Sequence, residues 1–92
     1  MKVSVRAFAD LRNLLPPEDS VWLPDGENIR GLLRMLAERR VAFLAKVLDE
    51  SGQLRSSVNI LCNGKNIQYL NGLDTGLADE DVIAIFPPIA GG

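Results

Sequence analysis

The 92-residue sequence contains no histidine and only one cysteine, Cys62. Histidine is the commonest general base near neutral pH and a frequent zinc ligand, so its absence argues against both kinds of site. A single cysteine excludes an intrachain disulfide and indicates a reducing compartment. No apolar run approaches the ~18 residues of a membrane span, and Lys2 and Arg6 interrupt any signal-peptide segment. We therefore expect a cytoplasmic chain that binds no metal.

The sequence also lacks an excess of charge of either sign. Its net charge is −2, with 47% hydrophobic and 24% charged residues, which predicts one small folded domain. Nothing basic enough for nucleic acid or for an anionic membrane is present. A GxxxxGK[ST] phosphate loop and a catalytic triad are absent too, so we do not expect the chain to be an enzyme on its own.

The spacing of apolar residues predicts five strands and one convincing helix. Asn28 is the expected N-cap of that helix, which we place at 29–40. The segment 41–48 is a short helix or a turn, and 10–19 is a loop. Asn63-Gly64 is a strong hairpin signal. The strands are predicted at 2–8, 21–23, 58–62, 65–67 and 82–86.

This order of elements favours an α+β chain with the β-grasp (ubiquitin-like) fold. A mixed sheet of about five strands would carry one main helix on one face, with the first and last strands side by side in the middle. A ferredoxin-like sandwich would need two good helices, and only one is convincing. We expect a domain at 1–86 and an extended C-terminal tail at 87–92.

The tail follows directly from the last strand. Pro87 and Pro88 cannot extend a ladder, so they favour an extended chain that reaches up to about 20 Å. Gly91 and Gly92 have no Cβ and can enter a space too narrow for other residues. A carboxylate on such an arm is suited to insertion into another protein's active site. The alternative is a frayed chain end without function.

Three apolar residues fall on the outward side of strands that should be neighbours. They are Phe8, Leu61 and Phe86, and their convergence predicts an interface patch. A slip of one residue in the strand register would bury them instead.

Other reactive or charged residues are interpreted as structural. Cys62 falls on the inward side of its strand, which predicts an inert core thiol. The acids of 79–81 could bind a metal, but a solvated turn is the simpler interpretation. Four arginines of the helix region could dock an acidic partner, but a solvated helix face is again simpler: Arg30, Arg34, Arg39 and Arg40.

The ending of the chain resembles a known family. Within the MoaD/ThiS family of sulfur carriers, Phe86-Pro87-Pro88-Ile89-Ala90-Gly91-Gly92 is similar to the Phe-Pro-Pro-Val-x-Gly-Gly ending of MoaD, the small subunit of molybdopterin synthase. The related thiamine carrier, ThiS, has the Gly-Gly ending but usually lacks Phe-Pro-Pro. Further stretches fit the family: Phe8-Ala9-x-Leu11-Arg12, Val58-Asn59 to Gly64, and Leu77-x-Asp79-x-Asp81-Val82. Glu80 stands where the family often has glycine, which argues against a glycine-dependent turn there. The segment 49–57 is more like that of longer members from archaea and some anaerobes.

The resemblance implies a division of labour between this chain and its partners. A ubiquitin-activating-like adenylyltransferase, which supplies ATP and Mg²⁺, would adenylate the Gly92 carboxylate. A sulfur donor protein would then convert it into a thiocarboxylate. The tail, including Gly91 and the partner-binding residues 87–90 (Pro87, Pro88, Ile89 and Ala90), would enter the large subunit of molybdopterin synthase and donate sulfur to a pterin precursor. No cofactor would be bound by this chain.

Several functions remain open at this point. The family also includes carriers for thiamine or cysteine synthesis, members that serve tungsten cofactors, and ubiquitin-like modifiers that form an isopeptide bond through Gly92. An interaction domain whose Gly-Gly ending has no role is a further alternative. The first hypothesis is the sulfur carrier for molybdenum-cofactor synthesis.

Overall fold

The computed structural model describes residues 1–9, 11 and 18–87. Its strands and helices follow in chain order: β1 (Lys2–Ala7), β2 (Glu18–Trp22), α1 (Ile29–Arg39), α2 (Val41–Val47), β3 (Asn59–Cys62), β4 (Lys65–Asn66) and β5 (Val82–Phe86). Two single 3-10 turns, Ile67–Tyr69 and Gly72–Asp74, connect β4 to the segment before β5. Within these residues, no helix has the length and apolar character needed to cross a membrane.

The five strands form one mixed sheet in the order β2-β1-β5-β3-β4. β1 and β5 pair in parallel at its centre, with Val5 opposite Ile83, while β2 and β3 flank them in antiparallel pairings. The predicted β-grasp arrangement, with the first and last strands adjacent, is confirmed.

Alternation along the central strands places the core between the sheet and α1. Val3 and Val5 of β1 and Ile83 and Ile85 of β5 are fully or almost fully buried, as predicted from the period of two. The helix contributes its apolar stripe of Ile29, Leu32, Leu33 and Leu36, all with no exposed surface. Each such side chain stabilises the fold by about 1.5–3 kcal/mol through burial. The opposite face of the sheet carries none of the described helices.

The bounds of the two helices follow from residues at their ends. The side chain of Asn28 accepts a hydrogen bond from the Gly31 N–H at 2.9 Å, which confirms the predicted N-cap. α1 ends at Arg39, one residue earlier than expected, because Arg40 is extended (φ −143°). The short second helix is also present, with Phe43 and Val47 buried.

The second strand was predicted too short. It begins at Glu18 rather than at residue 21, and it ends at Trp22. The two acids at its start pair in register with Arg6 and Val5 of β1. Glu18 lies 3.6 Å from the Arg6 guanidinium, and Asp19 accepts a hydrogen bond from Arg39 of α1. Partners distant in sequence thus stabilise charged residues whose local pattern indicates a loop.

Two turns use left-handed backbone. Asn63 and Gly64 have φ values of 52° and 85°, as a type I′ hairpin between β3 and β4 requires, so this prediction is confirmed. Glu80 has φ 72° even though it is not glycine, so the expectation that this residue argues against a glycine-type turn is wrong. The Glu80 N–H donates to the Lys2 carbonyl at 2.7 Å, which holds the turn in place.

Pro87 is the one residue of the predicted tail that the structure describes. It is buried, in the same alternation that buries Ile83 and Ile85, and therefore falls on the side of the sheet that faces the helices. Its role as a partner-binding residue stays a prediction. Residues 88–92 lie outside the described part of the chain.

Candidate partner-docking site

The root of the C-terminal segment is marked by two stacked aromatic rings. The centroids of Phe8 and Phe86 lie 4.3 Å apart, with an angle of 12° between the ring planes. Phe8 immediately follows β1 and Phe86 is the last residue of β5, so the parallel pairing of the central strands brings them side by side. Such a pair contributes about 0.5–1.5 kcal/mol beyond its buried area.

A tight turn fixes the position of Phe8. Its N–H donates to the Ile85 carbonyl at 3.3 Å, and its own carbonyl accepts from the Leu11 N–H at 3.2 Å. This turn places Ala9 in a left-handed conformation (φ 53°), while the Leu11 side chain is completely buried. Leu11 therefore anchors the chain after β1, and this anchor holds the Phe8 ring against Phe86.

Leu61 lies on the same face but does not complete a tight cluster. It pairs with Ala84, two residues before Phe86, while Asn59 stands directly opposite Phe86. Leu61 and Phe86 are half-buried, and Phe8 is 37% exposed. The predicted outward orientation of all three is thus present in the structure. We call Phe8, Leu61 and Phe86 the tail-root patch; its contact with a partner stays a prediction.

The remaining predicted site residues are not part of the described structure. Pro88, Ile89, Ala90, Gly91 and Gly92 lie outside it. The structure therefore defines the surface from which this segment leaves, and the roles of its residues stay predictions.

Trp22 is an exposed aromatic residue that was not predicted as part of a site. This residue is 71% exposed, on the edge strand β2, opposite Lys2. Its strand neighbour Val21 is completely buried, so the alternation of β2 directs Trp22 to the same open face as the tail-root patch. The alternation of residues along the strand could have predicted that Trp22 is exposed, but a single exposed aromatic residue carries no information about a partner by itself.

Cys62 is buried beside a carboxylate. Its Sγ lies 3.8 Å from Asp81 Oδ2, and the side chain is 9% exposed. Burial, together with the negative charge and the hydrogen bond of Asp81, raises the pKa of the Cys62 thiol. Because the thiolate is the nucleophilic form, this environment favours an unreactive core thiol, as predicted.

The acidic turn at 79–81 is occupied by structural hydrogen bonds. Asp81 accepts from the Asn63 side chain and from the Ala78 N–H, both at 2.8 Å, and Asp79 accepts from the Lys2 N–H at 2.7 Å. In the described residues, no group of three or more histidine, cysteine or acidic side chains is placed to hold a metal ion. These acids connect the start of β5 to its neighbours.

The arginine face is partly neutralised within the chain. Arg39 bonds to Asp19, while Arg30 lies 3.8 Å from Asp74 and donates to the Gly52 carbonyl. Arg34 and Arg40 are exposed. Two of the four predicted docking cations are therefore engaged internally, which favours the interpretation as a solvated helix face.

Comparison with known proteins agrees with this geometry. The model of the ThiS family matches residues 5–92. Small archaeal modifier protein 3 of Haloferax volcanii is 34% identical over 92 residues, which cover the whole of both chains.

Two solved structures share the fold over almost the whole chain. Small archaeal modifier protein 1 of Methanosarcina acetivorans has a TM-score of 0.81 at 38% identity, with 99% of this chain and 96% of that chain covered. A structure from Pyrococcus furiosus described as subunit 1 of a molybdopterin converting factor has a TM-score of 0.76 at 33% identity, with 97% and 99% covered. From the matched family model, these relatives and the shared fold, it follows that the chain belongs to the ThiS/MoaD family of ubiquitin-like sulfur carriers.

Proposed function

We propose that this chain is a carrier whose Gly92 carboxylate is activated by a partner enzyme and then converted into a thiocarboxylate. The observation that carries the proposal is the position of the Gly-Gly segment in the sequence. It follows a central strand whose last residue, Phe86, stacks on Phe8 where the two central strands end, on the open face of the sheet. A rigid apolar surface beside a narrow chain end suits docking of the body and insertion of the end.

The proposed chemistry requires two substitutions. A carboxylate is a poor acyl donor because oxide would have to leave. In the first step, a Gly92 carboxylate oxygen attacks the α-phosphorus of ATP, and pyrophosphate leaves. In the second step, a sulfur nucleophile at the oxidation level of hydrosulfide attacks the acyl carbon, and AMP leaves with the oxygen. Dividing one difficult reaction in this way is ordinary covalent catalysis. ATP, Mg²⁺ and the general bases would belong to the activating enzyme.

We further propose that the sulfur acceptor is a pterin precursor, bound by a large subunit of the molybdopterin synthase type. The likeness to the Pyrococcus furiosus protein supports this acceptor. A second candidate is a protein lysine, as in a ubiquitin-like modifier, and the likeness to the two small archaeal modifier proteins supports it. Both candidates share the activation step and differ only in the nucleophile that receives the acyl group or its sulfur.

Removal of Gly92 tests the activation step. The variant that lacks Gly92, or one that carries an additional residue after it, should fold normally but fail in pyrophosphate exchange with the adenylating enzyme. Undiminished exchange by the shortened chain would contradict the proposal.

Mass spectrometry of the protein from its native cells separates the two acceptors. A free chain in which one oxygen is replaced by sulfur favours the carrier. Gly-Gly remnants on tryptic lysines of other proteins favour the modifier.

A further inference from the structure

An exposed tryptophan stands at the far corner of the open sheet face. Trp22 is the only tryptophan of the chain, and 71% of its surface is accessible. It faces Lys2 across the β2–β1 pair, whereas the tail-root patch lies at the other end of the same central strands. The face therefore carries aromatic side chains at two opposite corners.

Small side chains lie beside Trp22, whereas a charged side chain stands nearer the aromatic pair. Ser4 of β1 pairs with Ser20 of β2 on one side and with Val82 of β5 on the other. Side chains as small as serine rise little above the backbone, so the face is shallow beside Trp22. The exposed Arg6 of β1 pairs with Ala84 of β5 and stands between Ser4 and Phe8.

The charges on this face are paired. The Lys2 ammonium lies 3.7 Å from Glu80, and the Arg6 guanidinium lies 3.6 Å from Glu18. Among the residues that the described strands place on this face, β5 and β3 contribute only uncharged ones. The charges that the described strands and the turn before β5 place on this face thus balance, which favours a partner surface of low net charge over a strongly acidic or basic one.

The dimensions of the face fit one interface of ordinary size. At about 3.3 Å per residue and 4.8 Å per strand, Ser4 lies about 8 Å from Trp22 and about 14 Å from Phe86. A standard interface covers about 800 Å² of each partner, which corresponds to a radius of about 16 Å. An interface centred on Ser4 therefore covers both corners, whereas the tail-root patch alone is too small to fill it.

We propose that Trp22 is a second anchor of the docking surface, and that the surface fits a protein partner of low net charge whose apolar side chains contact both Trp22 and the Phe8–Phe86 pair. The proposal rests on the proposed function, because the partner is the enzyme that takes up the C-terminal segment. Aromatic anchors at interfaces carry a large share of the binding free energy.

Binding of the adenylating enzyme from the same organism tests the proposal. Trp22→Ala should raise its Kd at least about tenfold, which corresponds to ~1.4 kcal/mol. In pyrophosphate exchange, KM should rise while kcat is retained. The matched control is Val41→Ala, which shortens another strongly exposed apolar side chain (85% exposed), on α2 at the helix side of the sheet. This control should bind like the unmodified chain.

A spectroscopic measurement keeps the test independent of the substitution. With 5-fluorotryptophan incorporated into this chain alone, the single ¹⁹F resonance of Trp22 should shift when saturating enzyme is added. The Kd should also change little between about 0.1 M and 1 M salt, since the charges described on the face are paired with each other.

The contrary outcomes are distinct. Binding of Trp22→Ala at unchanged Kd, an unmoved ¹⁹F resonance, or a strong loss of affinity in high salt would overturn the proposal and leave the activation chemistry intact. A ¹⁹F shift that depends on protein concentration without enzyme would assign the face to a second copy of the chain and also overturn it. No binding by the unmodified chain would overturn the proposed function together with this inference.

Discussion

Glu80 contacts Lys2 twice. Its backbone N–H donates to the Lys2 carbonyl at 2.7 Å, and its carboxylate lies 3.7 Å from the Lys2 ammonium. These contacts connect the turn before β5 to the start of β1, and they hold Glu80 at φ 72°. The turn that leads into β5 thus contains a residue in a left-handed conformation, which costs most residues other than glycine about 1–2 kcal/mol.

Replacing Glu80 separates the backbone cost from the ion pair. Glu80→Gly and Glu80→Ala both remove the exposed ion pair, but only glycine relieves the left-handed backbone. We expect Glu80→Gly to be more stable than Glu80→Ala by about 1 kcal/mol, net of the entropy that glycine adds to the unfolded chain. Denaturant unfolding of both variants measures the difference, and equal stabilities would contradict the interpretation of a strained turn.

Neighbouring residues at the end of β5 should respond differently to truncation. Ile85→Ala removes a fully buried side chain and should cost about 2–5 kcal/mol. Phe86 is only half-buried, so Phe86→Ala should cost about 1–2 kcal/mol, including the stacking with Phe8. The outward residue should instead dominate binding, with a Kd about 30-fold higher.

Melting curves of the Ile85→Ala and Phe86→Ala variants, and calorimetric titration of each with the large subunit, test these two expectations. If Phe86→Ala melts as early as Ile85→Ala while its folded fraction binds normally, Phe86 acts as a core residue and the tail-root patch is not a docking site.

Cys62 should react slowly with alkylating agents at neutral pH. Its pKa is raised by burial and by Asp81, so little thiolate is present. Asp81→Asn removes the negative charge and should accelerate alkylation by iodoacetamide, provided that the melting curve shows the variant to be folded. Cys62→Ala should lose only about 1 kcal/mol of stability and keep sulfur transfer. Loss of sulfuration in a folded Cys62→Ala chain would instead assign the thiol to the chemistry.

The loop after α2 predicts a component of acid sensitivity. Asp49 Oδ1 accepts hydrogen bonds from the Ser51 hydroxyl at 2.6 Å, the Ser51 N–H and the Gln53 N–H. The Ser51 hydroxyl and the Gln53 N–H are the main causes that lower the pKa of Asp49 in the folded state. Its contribution to stability is therefore fully present above the unfolded pKa of about 3.9 and is lost as the pH falls through the lower folded pKa.

Asp49→Asn should accordingly make unfolding less dependent on pH below about 4. Glu50→Gln, a change at the exposed neighbouring residue, is the matched control. Equal pH dependence of the two variants in urea unfolding would contradict a role for the Asp49 turn.

The central elements were predictable because their signals are local. Alternation identifies the inward residues of β1 and β5, and the spacing of Ile29, Leu32 and Leu36 identifies the buried face of α1. The start of β2 was not predictable, because Asp19 is stabilised by Arg39, a partner distant in sequence. A local pattern also gives no sign of the left-handed Glu80.

The candidate site was also predictable only in part. Parity along the strands located Phe8, Leu61 and Phe86 on one face, but the stacking of two rings depends on the parallel register of β1 and β5. The burial of Pro87 could not be predicted, because two consecutive prolines indicate the end of a strand and carry no information about which side chain is covered.

The parallel pairing of β1 and β5 determines how the protein responds to mechanical load. Tension between the amino end of β1 and the carboxyl end of β5 pulls two adjacent parallel strands in opposite directions along their length. The hydrogen bonds of the pair are then sheared together, whereas bonds at a sheet edge can be peeled apart one at a time. A partner that pulls on the C-terminal segment while the amino end of β1 is held therefore loads these hydrogen bonds in shear, so that they resist together and not one after another.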